Sequence, residues 1–394
     1  MKILLASTRY LPLFGGIENS IHFMAKEMLA QGHEVTILTS DLSPSDLSID
    51  LDEHDKKNSP VNIKRYSRLR LPGFLQVFSF FIQFFNVFSA TKNTSWDIII
   101  ARDVESALPL FIKYGGAKKA YIAPGCAYNQ NLRRLETMWK KGEVRRSAFL
   151  YNKYWYLVFM RLMQRKVLKK ADLVSAWSKN TLRELRGDMV FTNQWEAINP
   201  GVDFVKFKRR QAKRDKNDPL KLLMLCRFDP LKNINHAIEA VSKLDFHVHL
   251  NIVGSGSYER ELKELTINLG VEEKVSFLAG TRKQEQYYCQ ADYFLMLSSY
   301  EPFGQTIIEA MACGVPVIAY KACESVNNAV IEIIEDGKDG YLIDYGVDSV
   351  VDILKHLEKI SYTEALKVSE RAEEKIKKLY RWDETVKEIK KLLS

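Results

Sequence analysis

The feature that most constrains this chain is an alternation of short apolar runs with helical stretches, which occurs twice. In the first half, Lys2 to Ala6 reads as a buried strand. A loop through Pro12 and Gly15-Gly16 follows, and then a helix whose apolar positions Ile17, Ile21, Met24, Ala25, Met28 and Leu29 recur at helical spacing. Gly32 stops that helix before a strand over Glu34 to Thr39. Further apolar runs at Asp97 to Ala101, Lys119 to Ala123 and Asp172 to Ala176 are of the kind that parallel strands covered on both faces produce. The second half repeats the pattern at Lys221 to Cys226, His247 to Val253, Lys274 to Leu278, Tyr293 to Leu297 and Val315 to Ala319. Between the halves, Lys206 to Pro219 carries only Phe207 and Ala212 as apolar residues, which marks a linker.

The expectation is an α/β chain of two doubly wound, Rossmann-like domains, with the first over 1–205, the linker over 206–218, the second over 219–375 and a final segment over 376–394. A length of 394 residues suits two to three domains. Such sheets bind ligands beyond the carboxyl ends of their strands, so the chemistry is expected in a cleft between the domains. A hydrophobic share of 46% and a charged share of 27% are those of a globular protein and exclude a disordered or fibrous chain. Cys126, Cys226, Cys289, Cys313 and Cys323 are scattered with no C-x-x-C pair, which indicates neither a zinc site nor a disulfide framework. The opening apolar run breaks at Thr8-Arg9, too soon for a signal peptide, so a reducing, cytoplasmic setting is expected.

The most informative stretch runs from Ser299 to Pro316. Pro302 and Gly304 make a turn, and the apolar pattern from Thr306 makes a helix ending at Gly314. The amides of Phe303, Gly304, Gln305 and Thr306 then face the cleft, as a phosphate or hydroxyl site would require. Glu301 lies just before the helix and Glu309 about one turn inside it. Taken singly, each is equally well explained as a carboxylate at a helix dipole or on a solvated face. Together, the Glu, seven residues, Glu frame around Pro-Phe-Gly, followed by Glu309-Ala-Met-Ala-Cys-Gly314-Val-Pro316, resembles the retaining glycosyltransferases of family 4, whose fold is GT-B: two Rossmann-like domains facing a cleft.

That resemblance extends along the chain. Arg227 and Lys232 in Arg227-Phe-Asp-Pro-Leu-Lys232 resemble the family's clamp on the donor diphosphate, where negative charge grows as the sugar leaves. Asn199-Pro-Gly201-Val-Asp203, Gly254-Ser-Gly256 and Gly280-Thr-Arg282 fall in family order. By this likeness Gly254 lies at the donor, Arg282 near its base, Glu301 against sugar hydroxyls and Glu309 against the ribose. Gly15-Gly16-Ile17-Glu18 is similar to the family's glycine loop, with Gly16 towards the donor phosphate and Gly15 towards the acceptor. Tyr128 is a further acceptor-side residue. The stretch from Tyr380-Arg-Trp382 to Leu393 resembles the helix that returns to the N-terminal domain, which selects acceptor while the C-terminal domain holds the nucleotide sugar. The family implies no metal and no cofactor.

Two departures limit the transfer of roles. Lys321-Ala-Cys-Glu324 stands where relatives carry a glycine pair and a Glu, and Pro124-Gly-Cys126 stands where many carry a histidine. Asp103, after a strand, is the best first-domain carboxylate for a base, although the leaving phosphate could take the acceptor proton itself. His236, His247, His249 and His356 read as structural or surface residues.

The net charge of +9 is concentrated. Residues 131–170 hold twelve Lys or Arg against Glu136 and Glu143, interleaved with aromatics. Residues 74–88 form a Phe-rich helix with polar positions only at Gln76, Ser79, Gln83 and Asn86. These regions suit docking on an anionic membrane surface beside a glycan or lipid-linked acceptor, as in cell-surface polysaccharide synthesis. Burial of the Phe-rich helix in the first domain is the alternative. Nucleic-acid binding is not expected, because no nucleic-acid module accompanies the patch. The same fold also serves sugar epimerases, phosphorylases and non-catalytic carbohydrate or membrane binders.

Overall fold

The computed structural model of the protein describes residues 1–13, 15–41, 55, 61–69, 71, 76–92, 94–126, 132, 135–136, 139, 145–187, 192–209, 218–281 and 283–394. The chain divides into two compact units, Met1–Gly201 with Trp382–Ser394, and Val202–Arg381.

The first unit is built on a seven-stranded sheet. Its strands are β1 (Lys2–Ala6), β2 (Glu34–Ser40), β3 (Asn62–Tyr66), β4 (Ile98–Ala101), β5 (Lys118–Ala123), β6 (Leu173–Ala176) and β7 (Gln194–Ala197). They lie in the order β3-β2-β1-β4-β5-β6-β7, with every neighbouring pair parallel. Ile3, Leu4, Leu5 and Ala6 have no exposed surface, because helices cover both faces of the sheet. Each buried Leu or Ile contributes roughly 1.5–3 kcal/mol. The sequence reading foresaw β1, β2, β4, β5 and β6. It missed β3 and β7, whose sequences NIKRY and QWEA carry too many polar residues to form an apolar run.

The second unit holds a six-stranded parallel sheet of β8 (Leu220–Leu225), β9 (Val248–Val253), β10 (Val275–Leu278), β11 (Tyr293–Met296), β13 (Val317–Tyr320) and β15 (Gly340–Ile343), in the order β10-β9-β8-β11-β13-β15. A separate short pair joins β12 (Tyr300–Glu301) to β14 (Asn327–Asn328). In both sheets the third, second and first strands run one way from the middle and the fourth onward run the other. The chain therefore reverses its winding direction between β1 and β4 and again between β8 and β11. These are the points where a doubly wound sheet opens a crevice at its carboxyl edge.

The division falls between Gly201 and Val202, ahead of the linker read at 206–218. The start of that segment is packed into the second unit: Phe207 is buried and meets Tyr288 at 5.9 Å, and Arg209 reaches Glu373 at 3.4 Å. At the other end, the helix Tyr362–Leu379 and the residues through Arg381 belong to the second unit, and the segment that joins the first begins at Trp382 rather than at 376. The helix Trp382–Leu393 packs on the helix Gly16–Ala30, with Trp382 stacked on Phe23 at 5.8 Å. Gly201 is required there, because a Cβ would overlap the Trp382 backbone.

The Phe-rich segment forms the helix Gln76–Ala90, and its polar residues Ser79, Gln83 and Asn86 each find a partner within the first unit. Gln83 is buried and donates to the Tyr66 hydroxyl at 3.2 Å, the Ser79 hydroxyl accepts from the Leu71 amide, and Asn86 donates to the Ser67 carbonyl. Phe80 and Val87 join the core, and Phe80 meets Phe159 edge-on at 5.2 Å. Phe78, Phe81, Ile82 and Phe85 are exposed, Phe85 at 67%. One side of the helix is thus buried in the first unit, and an apolar side remains open. No helix of the described residues is long and apolar enough to cross a membrane.

Candidate active site

The crevice of the second unit gathers the residues with the most distinctive chemistry. β8 ends at Leu225, and the chain turns through Arg227 into a short 3-10 turn, Pro230–Lys232. Asp229 caps that turn by accepting from the Leu231 amide at 3.1 Å. Asn233 then takes a left-handed conformation with φ 47°, which Asn tolerates better than most residues, and its side chain donates to the Leu297 carbonyl at 2.8 Å. The loop after β8 is thereby tied to the loop after β11. Within this tie Lys232 Nζ lies 2.6 Å from Glu301 Oε2 and 3.3 Å from Ser298 Oγ. Burial alone would lower the Lys232 pKa, but the Glu301 carboxylate beside it prevails and raises it. Lys232 is accordingly a fixed cation at neutral pH.

Arg227 lies at the mouth of the same loop, half-exposed, with Nη2 3.4 Å from the buried carboxylate of Asp229. Behind it, Gly254 adopts φ 150° and donates its amide to the Leu278 carbonyl at 2.9 Å. A Cβ on Gly254 would overlap the Cys226 carbonyl, and one on Gly256 the Phe228 carbonyl. These glycines let two loops pass in backbone contact. The Cys226 thiol is pushed up to about 12 by burial, so it carries no thiolate chemistry at neutral pH.

The helix Gln305–Ala312 begins directly after Glu301, with Gly304 at its N-cap in a left-handed conformation, φ 98°. Thr306 lies in its first turn, and Phe303 is buried against Tyr380 at 6.0 Å. Glu309 is not on a solvated face. It is buried, accepts from the Tyr288 hydroxyl at 3.2 Å, and has its pKa raised to about 7 by burial, opposed in part by Lys206. The structure therefore brings Lys232 and Glu301 into contact, sets Arg227 on the same loop, and seats Glu309 one helical turn further along. Asp229 and Ser298 join this cluster. Sequence reasoning missed them, and only the Asp before the Pro230 turn left a capping signal that could have found one.

In the first unit, Asp103 has both carboxylate oxygens engaged. Oδ1 accepts from the Ser106 amide at 2.8 Å as the N-cap of the helix Val104–Lys113, and Oδ2 accepts from the Thr8 amide at 2.6 Å. Asp103 ties the loop after β4 to the loop after β1. Gly15 is the N-cap residue of the helix Gly16–Ala30 and lies under the Glu18 carboxylate, where a Cβ would stand 2.7 Å from Glu18 Oε2. Tyr128 and Arg282 lie outside the described residues, as do 74–75 and parts of 131–144. Among the described residues no group of three or more His, Cys, Asp or Glu is placed to hold a metal ion.

Comparison with known proteins agrees with this architecture. The family model for glycosyl transferases group 1 matches residues 205–379, and that for glycosyltransferase family 4 matches residues 14–206. The chain belongs to the family-4 glycosyltransferases and has their GT-B fold. It is 26% identical over 201 residues to N-acetyl-alpha-D-glucosaminyl L-malate synthase of Bacillus anthracis, a match over 48% of this chain and 51% of that one. To the alpha-monoglucosyldiacylglycerol synthase of Streptococcus pneumoniae it is 27% identical, over 81% of this chain and 71% of that relative. The chain spans about half the length of the first of these two relatives. Among solved structures, sucrose-phosphate synthase from Thermosynechococcus elongatus superposes with a TM-score of 0.78 at 18% identity, covering 99% of this chain and 98% of that one.

Proposed function

We propose that this protein is a retaining, metal-independent glycosyltransferase that moves a sugar from a nucleoside-diphosphate sugar to a glycan or lipid-linked acceptor. The observation that carries this reading is the Lys232, Glu301 and Ser298 cluster, with Arg227 on the same loop, at the carboxyl edge of the second sheet. In such a reaction the bond from the anomeric carbon to the diphosphate oxygen breaks, and negative charge grows on the leaving phosphate. A fixed ammonium and a guanidinium at that oxygen stabilise the charge without reorganising, an effect worth about 3–4 kcal/mol for one such donor. The same phosphate oxygen can accept the proton of the attacking hydroxyl on the face it has left, which gives retention. Asp103, with both oxygens engaged by amides, is then a scaffold residue rather than the base.

The acceptor side of the reading draws on the exposed stripe Phe78, Phe81, Ile82 and Phe85 and on a second one, Leu150, Tyr154, Val158 and Leu162, on the adjoining helices. Arg145, Arg146, Arg161, Arg165, Lys166, Lys169 and Lys170 are exposed around the second stripe. Apolar side chains that enter the headgroup region, ringed by cations, suit an anionic cytoplasmic membrane face and a lipid-linked acceptor. The relative named alpha-monoglucosyldiacylglycerol synthase points to the same class of acceptor. Thermal shift against UDP, GDP and ADP, with Arg227→Ala alongside, tests the donor side. One diphosphate should raise the melting temperature of the wild type and not of the variant, and no shift with any of them would sink the reading. Sedimentation with phosphatidylglycerol vesicles tests the membrane side, with Phe81→Ser/Phe85→Ser expected to stay in the supernatant.

A further inference from the structure

Two cysteines of the second unit meet beside Glu309. Cys289 follows the short helix Glu285–Tyr288, and its amide donates to the Glu285 carbonyl at 3.0 Å. Cys313 follows the helix Gln305–Ala312, and its amide donates to the Ala310 carbonyl at 3.0 Å. The two helices are joined just ahead of these cysteines, where the Tyr288 hydroxyl donates to Glu309 at 3.2 Å. Their ends also press on one stretch of chain. Cys289 Sγ donates to the Lys208 carbonyl at 3.5 Å, and a Cβ on Gly314, the residue after Cys313, would stand 3.0 Å from Arg209 Cγ. Held in this way, the Cys313 thiol lies in hydrogen-bond contact with the thiol of Cys289. Cys313 is buried and Cys289 half-buried, so solvent reaches one sulfur of the pair.

We propose that Cys289 and Cys313 are a modification site, which a peroxide converts reversibly to a disulfide that disturbs the seat of Glu309. The Cys289 sulfur, as thiolate, attacks one peroxide oxygen; the O–O bond breaks, and the departing hydroxide takes up the thiol proton as water. Cys289 is left as a sulfenic acid. The Cys313 sulfur then attacks the Cys289 sulfur, the S–O bond breaks, and the hydroxide leaves with the Cys313 proton. Two thiols and one peroxide become one disulfide and two waters. Burial, and after it the neighbouring Cys289, pushes the Cys313 thiol up, which suits Cys313 to the second step, where its target is already beside it. In a reducing compartment such a pair rests as thiols and closes only under oxidant. A disulfide holds its sulfurs at about 2.05 Å, well inside the separation of hydrogen-bonded thiols. Closing it draws one helix end towards the other, and Tyr288 and Glu309 ride on the two elements that move. The effect on nucleotide rests on the proposed transfer reading, with Glu309 at the donor.

The test treats the full chain with hydrogen peroxide, alkylates the remaining thiols and maps the peptides without reductant. The peptide of Cys289 should be linked to that of Cys313, and dithiothreitol should release it. Two alkylated thiols, a sulfinic acid at Cys289, or a link that runs through Cys226 or Cys323 instead overturns the proposal. Whichever of UDP, GDP and ADP stabilises the reduced protein should bind the linked form about tenfold more weakly, the scale of one lost hydrogen bond to a charged group, and recover with dithiothreitol. Cys289→Ser and Cys313→Ala should bind it equally well before and after peroxide. The same loss in Cys289→Ser, or no loss in the linked wild type, overturns the effect on Glu309. If the reduced protein binds none of the three, the transfer reading falls, and the peptide map still decides for or against the disulfide.

Discussion

The two sheets reverse their winding in the same way, and in each the loop after the first strand is tied to the loop after the fourth. The ties differ in chemistry. In the first unit a carboxylate, Asp103, spends both oxygens on amides and a hydroxyl, so the tie is a helix cap. In the second, an amide of Asn233 makes the structural tie and Lys232 meets Glu301 as an ion pair, so structure and charge are divided between neighbouring residues. One topology thus yields a scaffold joint in one unit and a charged site in the other. The strand order sets where chemistry can occur, and a few loop residues decide whether it does.

The strongest way to break this contrast is Lys232→Ala. Transfer should fall by about 10²–10³ in kcat/KM, the scale of one lost electrostatic donor, with a melting transition still present. Near-normal turnover would reduce the second tie to the same structural role as the first. Next, Gly254→Ala places a Cβ against the Cys226 carbonyl at a positive φ and should cost on the order of 3 kcal/mol, read by chemical denaturation. A loss below about 0.5 kcal/mol would mean that the loops behind the site are free to move apart.

The third test is of pH. Glu309 has its folded pKa raised to about 7 by burial, above the usual carboxylate value. Its contribution is therefore present below about pH 4.5 and is lost as pH rises to about 7, because the unfolded chain releases the proton first. Glu309→Gln should flatten the fall in stability over that window, as read from denaturation midpoints at several pH values. Parallel slopes would show that Glu309 is solvated in the native protein. The smallest effect is expected from Asp103→Ala, at about 1 kcal/mol for a lost N-cap, with turnover within a few-fold of wild type. A hundredfold loss of turnover would restore Asp103 as a catalytic group and erase the difference between the ties.

The parts of this architecture legible in the sequence were those written in local patterns. Strands buried on both faces betray themselves as runs such as Ile98-Ile-Ile-Ala101 and Leu220-Lys-Leu-Leu-Met-Leu225, and helix bounds follow from Gly15, Gly32 and Gly314. Edge strands do not, because NIKRY and QWEA keep one side polar and look like loop. The Phe-rich helix was legible as a helix but not in its orientation. Ser79, Gln83 and Asn86 bond to the Leu71 amide, the Tyr66 hydroxyl and the Ser67 carbonyl, and no local pattern records those distant partners. In the candidate site, Lys232 and Glu301 could each be picked out by residue type and motif. Their contact, across 69 positions, and the burial of Glu309 against Tyr288 exist only once the strands are ordered.

The helix Trp382–Leu393 carries a consequence for biosynthesis. It completes the first unit, where Trp382 closes over Gly201, yet a ribosome makes it after the whole of the second unit. During synthesis the surface of Gly16–Ala30 that this helix covers stays open, with Phe23 unstacked, until residues 382–393 have been made. The unit that begins first is thus the last to finish, and a nascent chain stalled before Trp382 presents that apolar surface to chaperones and proteases.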